Sequence, residues 1–144
     1  MVETATFALG CFWGPDDYFS KLPGVVRTRV GYSGGSTENP TYTDLGDHTE
    51  TIEIEFDPSI ISYEELLNHF FKKHNAGVVQ STQYKSAIFT HNEKQYTLAE
   101  KRKNQEQEKT GKHIMTIIAD ALTFYEAEEY HQKYLAKVRN KNRE

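Results

Sequence analysis

The single cysteine of the chain, Cys11, is the side chain with the clearest capacity for chemistry. It lies in Gly-Cys-Phe-Trp-Gly, after an apolar run typical of a strand and before a segment that predicts a helix start. A helix N-terminus stabilises an anion by about 0.3–1 kcal/mol, and the thiolate is the nucleophilic form of cysteine. Asp16 and Asp17 would raise the pKa of the thiol if they lay close to it. The position fits either a nucleophile or a buried structural cysteine.

Glu50 is the second candidate, because it is separated by two and four residues from Ile52 and Ile54 in an alternating strand pattern. Side chains at this spacing point to the same face of a strand. If the strand includes residue 50, the carboxyl group projects to the buried side. A carboxyl group in apolar surroundings has a raised pKa and can donate a proton near neutral pH. In the alternative, the strand begins at Thr51, and Glu50 and His48 both lie in a solvated loop.

Four aromatic side chains could complete a site around these two groups. Phe12 and Trp13 directly follow the cysteine and could form apolar walls of a pocket. Tyr42 lies near the end of a long polar loop, and Tyr84 precedes a predicted strand. A phenol can hydrogen-bond a substrate oxygen without carrying charge. For each ring taken alone, ordinary core or surface packing is the preferred interpretation.

The elements that must position these residues alternate between strands and helices. The first six follow the order β-α-β-β-α-β, which predicts the split β-α-β core of a ferredoxin-like α/β (α+β) fold, and an extra C-terminal helix, strand and helix follow. A capping-box pattern at 123–126 predicts the start of the last helix, which should end near residue 137. The predicted strands are 4–10, 26–32, 51–56, 87–89 and 114–119, and the predicted helices begin near 14, 62, 93 and 123.

Length and composition limit the remaining possibilities. The 144 residues show no repeat or linker and predict a single domain, 1–144. A net charge of −4 gives no support for nucleic-acid binding. No segment approaches the ~20 apolar residues of a membrane span, and no signal peptide is recognisable, so we expect a cytoplasmic protein without membrane contact. The six histidines are dispersed, so no metal site is predicted.

Several short motifs follow one another along the chain. They occupy 10–14, 31–35, 39–42, 48–50, 56–58, 62–64, 83–89 and 124–132. Taken in this order, they resemble the A type of peptide methionine sulfoxide reductase. The resemblance covers nearly the whole chain, and the combination of motifs is far more specific than any one of them. The ferredoxin-like α/β core of that family agrees with the element order above.

The resemblance implies a role for each candidate residue. Cys11 matches the nucleophile that attacks the sulfoxide sulfur, and Glu50 matches the acid that protonates the sulfoxide oxygen. Tyr42 and Tyr84 match the phenols that hold this oxygen. The aromatic pair directly after the cysteine matches the walls that receive the terminal methyl group of the substrate.

The implied reaction reduces methionine S-sulfoxide, free or in proteins, and leaves a sulfenic acid on Cys11. Many family members carry resolving cysteines near the C-terminus, but this chain has only one cysteine. The resemblance therefore implies an external thiol as reductant, which would be thioredoxin, glutaredoxin with glutathione, or a small dithiol. It implies no bound cofactor.

Two other functions remain open. Residues 74–82 replace a longer family segment that contains Arg-Gln-Gly-Asn-Asp, so the usual active-site Asp has no obvious counterpart here. The loop between Tyr42 and His48 is also short. The chain could instead be a thiol peroxidase that forms the same sulfenic acid. It could also be a module that binds methionine sulfoxide or senses oxidants without turnover.

Overall fold

The computed structural model describes residues 1–143, which form one mixed sheet with helices packed against it. The elements lie in the order predicted as far as the third helix. Their bounds are β1 Glu3–Leu9, α1 Trp13–Ser20, β2 Val25–Ser33, β3 Thr49–Phe56, α2 Tyr63–Lys72, β4 Ser86–Thr90, α3 Glu93–Thr110, β5 Ile117–Asp120, β6 Tyr125–Glu126 and α4 Tyr134–Arg143. Short 3₁₀ turns occupy Thr82–Tyr84 and Glu129–His131.

The sheet has the strand order β5-β4-β1-β3-β2-β6. Its central part, β4-β1-β3-β2, has antiparallel neighbours throughout, with β3 inserted between the parallel strands β1 and β2. This is the split β-α-β arrangement, so the predicted fold class is confirmed. The later strands extend both edges, because β5 pairs parallel with β4 and β6 pairs antiparallel with β2.

The core lies between the sheet and the first two helices. Ile54 of β3 and Phe7 of β1 are fully buried together with Phe19 of α1 and Phe70 of α2. The helix α2 begins at the predicted capping box, in which Ser62 Oγ accepts from the backbone N–H of Glu65 at 3.1 Å. In the described residues, no helix is both long and apolar enough to cross a membrane.

The predicted start of the last helix is wrong. Residues 125–126 instead form β6, which pairs with Gly31 and Tyr32 at the edge of β2. A Cβ at Gly31 would lie 2.3 Å from the backbone oxygen of Tyr125, so the close approach requires glycine. The final helix begins only at Tyr134. The strand after the third helix begins later than predicted, since it was expected at 114–119 and β5 occupies Ile117–Asp120.

Candidate active site

Cys11 lies in the short connection between β1 and α1, and its side chain is exposed. The preceding Gly10 has a φ of +94°, a left-handed conformation that glycine adopts without strain, and it turns the chain out of the sheet. The residue before it, Leu9, pairs with Ser86 of β4. An exposed thiol at a strand end does not fit the alternative of a buried structural cysteine, and it is accessible to a substrate.

Two influences raise the pKa of Cys11 and one lowers it. Partial desolvation has the largest effect, and the nearby charge of Glu50 raises the pKa further. A hydrogen bond from the backbone N–H of Trp13, in the first turn of α1, favours the thiolate. The helix start therefore stabilises the anion as predicted, but burial and Glu50 outweigh it.

The acidic residues of α1 are directed away from the thiol. Asp16 is buried and accepts hydrogen bonds from Lys133 Nζ at 2.9 Å and from Thr28 Oγ1 at 2.6 Å. Asp17 forms ion pairs with Lys21 at 3.2 Å and with Arg139 at 2.6 Å. Neither carboxylate is among the groups that shift the pKa of Cys11, so the expected effect of these two acids is absent.

Glu50 lies within β3, opposite Tyr32, and only 1% of its surface is exposed. The alternative in which it occupies a solvated loop is therefore wrong. One carboxyl oxygen accepts from the backbone N–H of Phe12 at 3.1 Å, and the other accepts from Gln83 Nε2 at 2.6 Å. Burial raises the pKa of Glu50, and the two hydrogen bonds oppose this shift. The contact with Phe12 holds the carboxyl group one residue from the thiol.

His48 is buried as well, but it serves the long loop between β2 and β3. Its Nδ1 accepts from the backbone N–H of Gly35 at 3.2 Å, and its Nε2 lies 2.5 Å from the carbonyl oxygen of Thr37. The carboxylate of Asp47 accepts from the backbone N–H groups of Ser36 and Thr37 at 2.8–3.1 Å. These contacts fix the loop that carries Tyr42.

The two predicted phenols lie together beside Glu50. Desolvation has the largest effect on Tyr84 and the charge of Glu50 the next, and together with Tyr42 and Cys11 they raise the pKa of Tyr84 to about 12. The hydroxyl group of Tyr84 is therefore protonated at neutral pH and can donate a hydrogen bond. The backbone N–H of Tyr42 donates to the carboxylate of Glu128 at 3.1 Å, which fixes this part of the loop.

The two aromatic residues after the cysteine occupy different environments. Phe12 is 1% exposed, and its ring packs against Tyr32 and His131 with centroids 5.9 and 5.2 Å apart. Trp13 is half-buried and stacks on Tyr134, with ring centroids 3.9 Å apart and planes 10° from parallel. Trp13 thus offers an aromatic surface near the thiol, whereas Phe12 supports the site from the core.

Several residues of the site were missed by the sequence reasoning. Gln83, which holds Glu50, directly precedes Tyr84 within the same motif, and that position was the available signal. Glu128, His131 and Tyr134 lie in the C-terminal segment that was predicted as one helix. They approach the site only because β6 pairs with β2 and returns the chain toward α1.

The hydrogen bond between Trp13 and His131 predicts a pH-dependent optical signal. The indole Nε1–H donates to Nδ1 of His131 at 3.0 Å, which requires that nitrogen to be unprotonated. Burial lowers the pKa of His131, and Glu128 partly opposes the shift. We expect the fluorescence of Trp13, the only tryptophan, to change with a midpoint below about pH 6.5.

The His131→Asn variant, which retains an acceptor oxygen, should lack this transition, whereas His91→Gln should keep it. The same transition in His131→Asn would contradict the assignment.

No group of three or more His, Cys, Asp or Glu side chains that could hold a metal ion occurs in the part of the chain that the structure describes. The groups that the site does bring together are a thiol, a carboxyl group and two phenols. A nucleophile, a buried carboxyl group and two phenols lie in one small region. Such a set can attack an electrophilic atom while it protonates an attached oxygen.

Comparison with known sequences identifies relatives along almost the whole chain. The family model described as peptide methionine sulfoxide reductase matches residues 3–144. A peptide methionine sulfoxide reductase of Drosophila melanogaster is 48% identical over 134 residues, which are 91% of this chain and 54% of that protein. The enzyme MsrA of Methanothermobacter thermautotrophicus is 46% identical over 147 residues, covering 94% of this chain and 87% of the relative.

Solved structures give the same assignment. The reduced form of Mxr1 from Saccharomyces cerevisiae superposes with a TM-score of 0.89 and 32% identity, covering 94% of this chain and 85% of the yeast chain. The same yeast protein in complex with Trx2 superposes with a TM-score of 0.71 and 27% identity, covering 92% and 84% of the two chains.

Proposed function

This chain belongs to the peptide methionine sulfoxide reductase family, and we propose that it carries out the family's reaction through Cys11 as nucleophile and Glu50 as proton donor. The reduction of methionine sulfoxide makes it an oxidoreductase that acts on a sulfur group. The observation that carries the proposal is the buried carboxyl group of Glu50, hydrogen-bonded at 3.1 Å to the residue that follows the exposed thiol. Methionine S-sulfoxide, free or in oxidised proteins, is the proposed substrate.

The chemistry requires both groups at once. A sulfoxide sulfur is a poor electrophile until its oxygen is protonated or strongly hydrogen-bonded. In the proposed step, the Cys11 thiolate attacks the sulfur and Glu50 transfers its proton to the oxygen, while Tyr42 and Tyr84 donate hydrogen bonds to it. Methionine leaves with its sulfur reduced by two electrons. Cys11 is oxidised by two electrons and retains the oxygen as a sulfenic acid.

Trp13 and Phe12 are proposed to receive the apolar end of the substrate. Trp13 is stacked on Tyr134 and hydrogen-bonded to His131, so its ring is held in one orientation. A methyl group on its exposed face would bury apolar surface, at roughly 25 cal/mol per Å². Phe12 is almost completely buried, so its contribution is to support this wall rather than to provide most of its area.

An external thiol is proposed to regenerate the enzyme, because Cys11 has no partner cysteine in the chain. The relative Mxr1 has been solved in complex with Trx2, which supports a thioredoxin-type reductant for this chain. Glutaredoxin with glutathione, or a small dithiol, would supply the same chemistry.

Two further proposals concern organisation and location. The family match over residues 3–144 supports a single domain over residues 1–144. A solitary exposed thiol that must return to the reduced state suits a reducing compartment, which supports a cytoplasmic location. Fractionation of cells that express the protein would test the location.

The test is a dithiothreitol-driven assay on each epimer of methionine sulfoxide. The parent should consume the S epimer over many turnovers and leave the R epimer unchanged, whereas Cys11→Ser should show no turnover above background. Hydrogen peroxide, offered in place of the sulfoxide, should be consumed much more slowly. Faster turnover of the peroxide would favour a thiol peroxidase, and a single turnover with excess dithiol would favour a binding or sensing module.

A further inference from the structure

A cavity of about 310 Å³ opens beside Cys11. Cys11, His74 and Ser86 line it, and Asn75, Gln80 and Tyr84 complete its polar surface. None of its lining residues in the described part of the chain carries a full charge at neutral pH. Its volume falls within the range of small-ligand sites. Cys11 and Tyr84 belong to the proposed sulfoxide site as well, whereas His74 and Ser86 have no part in it, and neither Trp13 nor Glu50 lines the cavity.

The histidine and the serine in this cavity form a hydrogen-bonded chain with a fixed direction. His74 Nδ1 lies 2.7 Å from the carbonyl oxygen of Phe70, which can only accept, so Nδ1 carries a proton. Burial lowers the pKa of His74 and favours the neutral ring, so Nε2 is an acceptor. Ser86 Oγ, 2.7 Å from Nε2, therefore donates to it, and Thr116 Oγ1 donates to Ser86 at 2.8 Å.

This direction leaves Ser86 Oγ with one lone pair that no group in the described part of the chain occupies. Ser86 is also close to the nucleophile, since it pairs across the sheet with Leu9, two residues before Cys11. A donor that entered the cavity could therefore hydrogen-bond to Ser86 while its heavy atom faced the sulfur of Cys11. A proton given to Ser86 could pass to Nε2 of His74.

We propose that this cavity, named here the thiol cavity, receives the sulfhydryl group of the external reductant once Cys11 has been oxidised, and that Ser86 and His74 take up its proton. The inference rests on the proposed function, because it concerns the second half of that reaction. A free thiol has a pKa of about 8.5 and is mostly protonated at neutral pH, whereas only the thiolate attacks sulfur efficiently. A proton acceptor beside the sulfenic acid would therefore accelerate its reduction.

The step balances as follows. The S–H bond of the reductant breaks, its proton passes to Ser86 Oγ, and the hydroxyl proton of Ser86 passes to His74 Nε2. The reductant sulfur forms an S–S bond with Cys11 as the S–O bond of the sulfenic acid breaks. The departing hydroxide takes a proton from Glu50, which has been reprotonated from solvent, and leaves as water; His74 then returns its proton to solvent. Each sulfur ends at the disulfide level, and a second thiol releases Cys11.

The two half-reactions can be measured separately. The reduced enzyme, mixed with excess methionine S-sulfoxide and no thiol, should release one methionine per chain in a burst. A thiol is then added to the sulfenic acid form of the enzyme, and the sulfenic acid that remains is trapped with dimedone at successive times. The loss of trapped product gives the second-order rate constant of the thiol step. Ser86→Ala and His74→Gln should keep the burst rate within about twofold of the parent. Their thiol step should slow by about 10²-fold or more, a loss typical of removing general acid–base assistance.

His91→Gln is the matched control. His91 follows the other end of β4, its Nε2 lies 2.7 Å from Thr6 Oγ1, and burial lowers its pKa as it does for His74. It lies outside the thiol cavity, so both steps should match the parent. A loss in this variant equal to that in His74→Gln would overturn the proposal, because a general structural effect would explain both.

The thiol step is measured with three reductants: dithiothreitol, glutathione and a thioredoxin. Slowing with all three supports a site for the sulfhydryl group itself, whether a small molecule or a protein supplies it. Slowing with thioredoxin alone would overturn the proposal, since it would indicate a protein docking surface instead. A burst slowed as much as the thiol step would also overturn it, because the cavity would then serve the sulfoxide. A parent with no burst would refute the proposed function itself.

Discussion

Glu50→Gln should reduce the turnover of methionine S-sulfoxide by about 10²–10⁴-fold and leave the fold intact. The glutamine side chain keeps the size of the buried group, but its amide cannot transfer a proton to the sulfoxide oxygen. Steady-state turnover with dithiothreitol, together with the far-ultraviolet circular dichroism spectrum, measures both parts of the expectation.

The matched control for this variant is Glu55→Gln. Glu55 lies on the same strand, but it is partly exposed and 3.9 Å from Arg27, so its removal should leave turnover unchanged. The pH profile adds a second criterion. Burial raises the pKa of Glu50, so its acid form persists at pH values above the usual carboxyl pKa near 4. The parent should therefore lose activity as the pH rises and Glu50 ionises. Turnover in Glu50→Gln equal to that of the parent would remove Glu50 from the mechanism.

Asp16→Ala should lower the free energy of unfolding by about 3 kcal/mol. Asp16 is fully buried and accepts from Thr28, from Lys133 Nζ and from the backbone N–H of Lys133, all within 2.9 Å. Removing the carboxylate leaves Thr28 Oγ1 and the backbone N–H of Lys133 without their acceptor, and it leaves the Lys133 ammonium, which still donates to Thr28, without its counter-charge. The lower end of the usual range for a broken buried ion pair applies because the Lys133 side chain is 39% exposed. The midpoint of urea unfolding should fall by about 1 M or more.

Asp17→Ala provides the comparison for Asp16→Ala. Asp17 is the next residue of α1, and its partners Lys21 and Arg139 are 62% and 43% exposed. Ion pairs of this kind contribute about 0.2–1 kcal/mol, so the unfolding midpoint should move little. Equal losses in the two variants would contradict the role assigned to the buried pair.

The sequence predicted the sheet core and the position of Glu50 because both follow from short-range patterns. The alternation of Ile52, Ile54 and Phe56 determines which face of β3 is buried, and the observed strand extends this face back to Glu50. The capping box at Ser62 predicted the start of α2 for the same reason, since its donors and acceptors lie within four residues.

The C-terminal segment could not be predicted in this way. The pattern Thr-Phe-Tyr-Glu at 123–126 also fits a capping box, but long-range contacts determine its structure. Arg29 pairs with Glu126 at 3.2 Å and lies 4.9 Å from the ring of Phe124, while Gly31 leaves room for the backbone of β6. Local propensity carries no information about these partners, which lie almost a hundred residues earlier in the chain.

The contacts that hold Trp13 join residues that are far apart in the order of synthesis. The strands of the ferredoxin-like core are complete at Thr90, and Cys11 lies between the first strand and the first helix of that core. The hydrogen bond from Trp13 to His131 spans 118 residues, and Tyr134 lies further still toward the end. A nascent chain therefore contains its reactive thiol long before it contains the groups that orient the neighbouring indole. Competence for the reaction is therefore acquired only after Tyr134 has been made, and a product truncated before His131 would carry the thiol without the groups that orient Trp13.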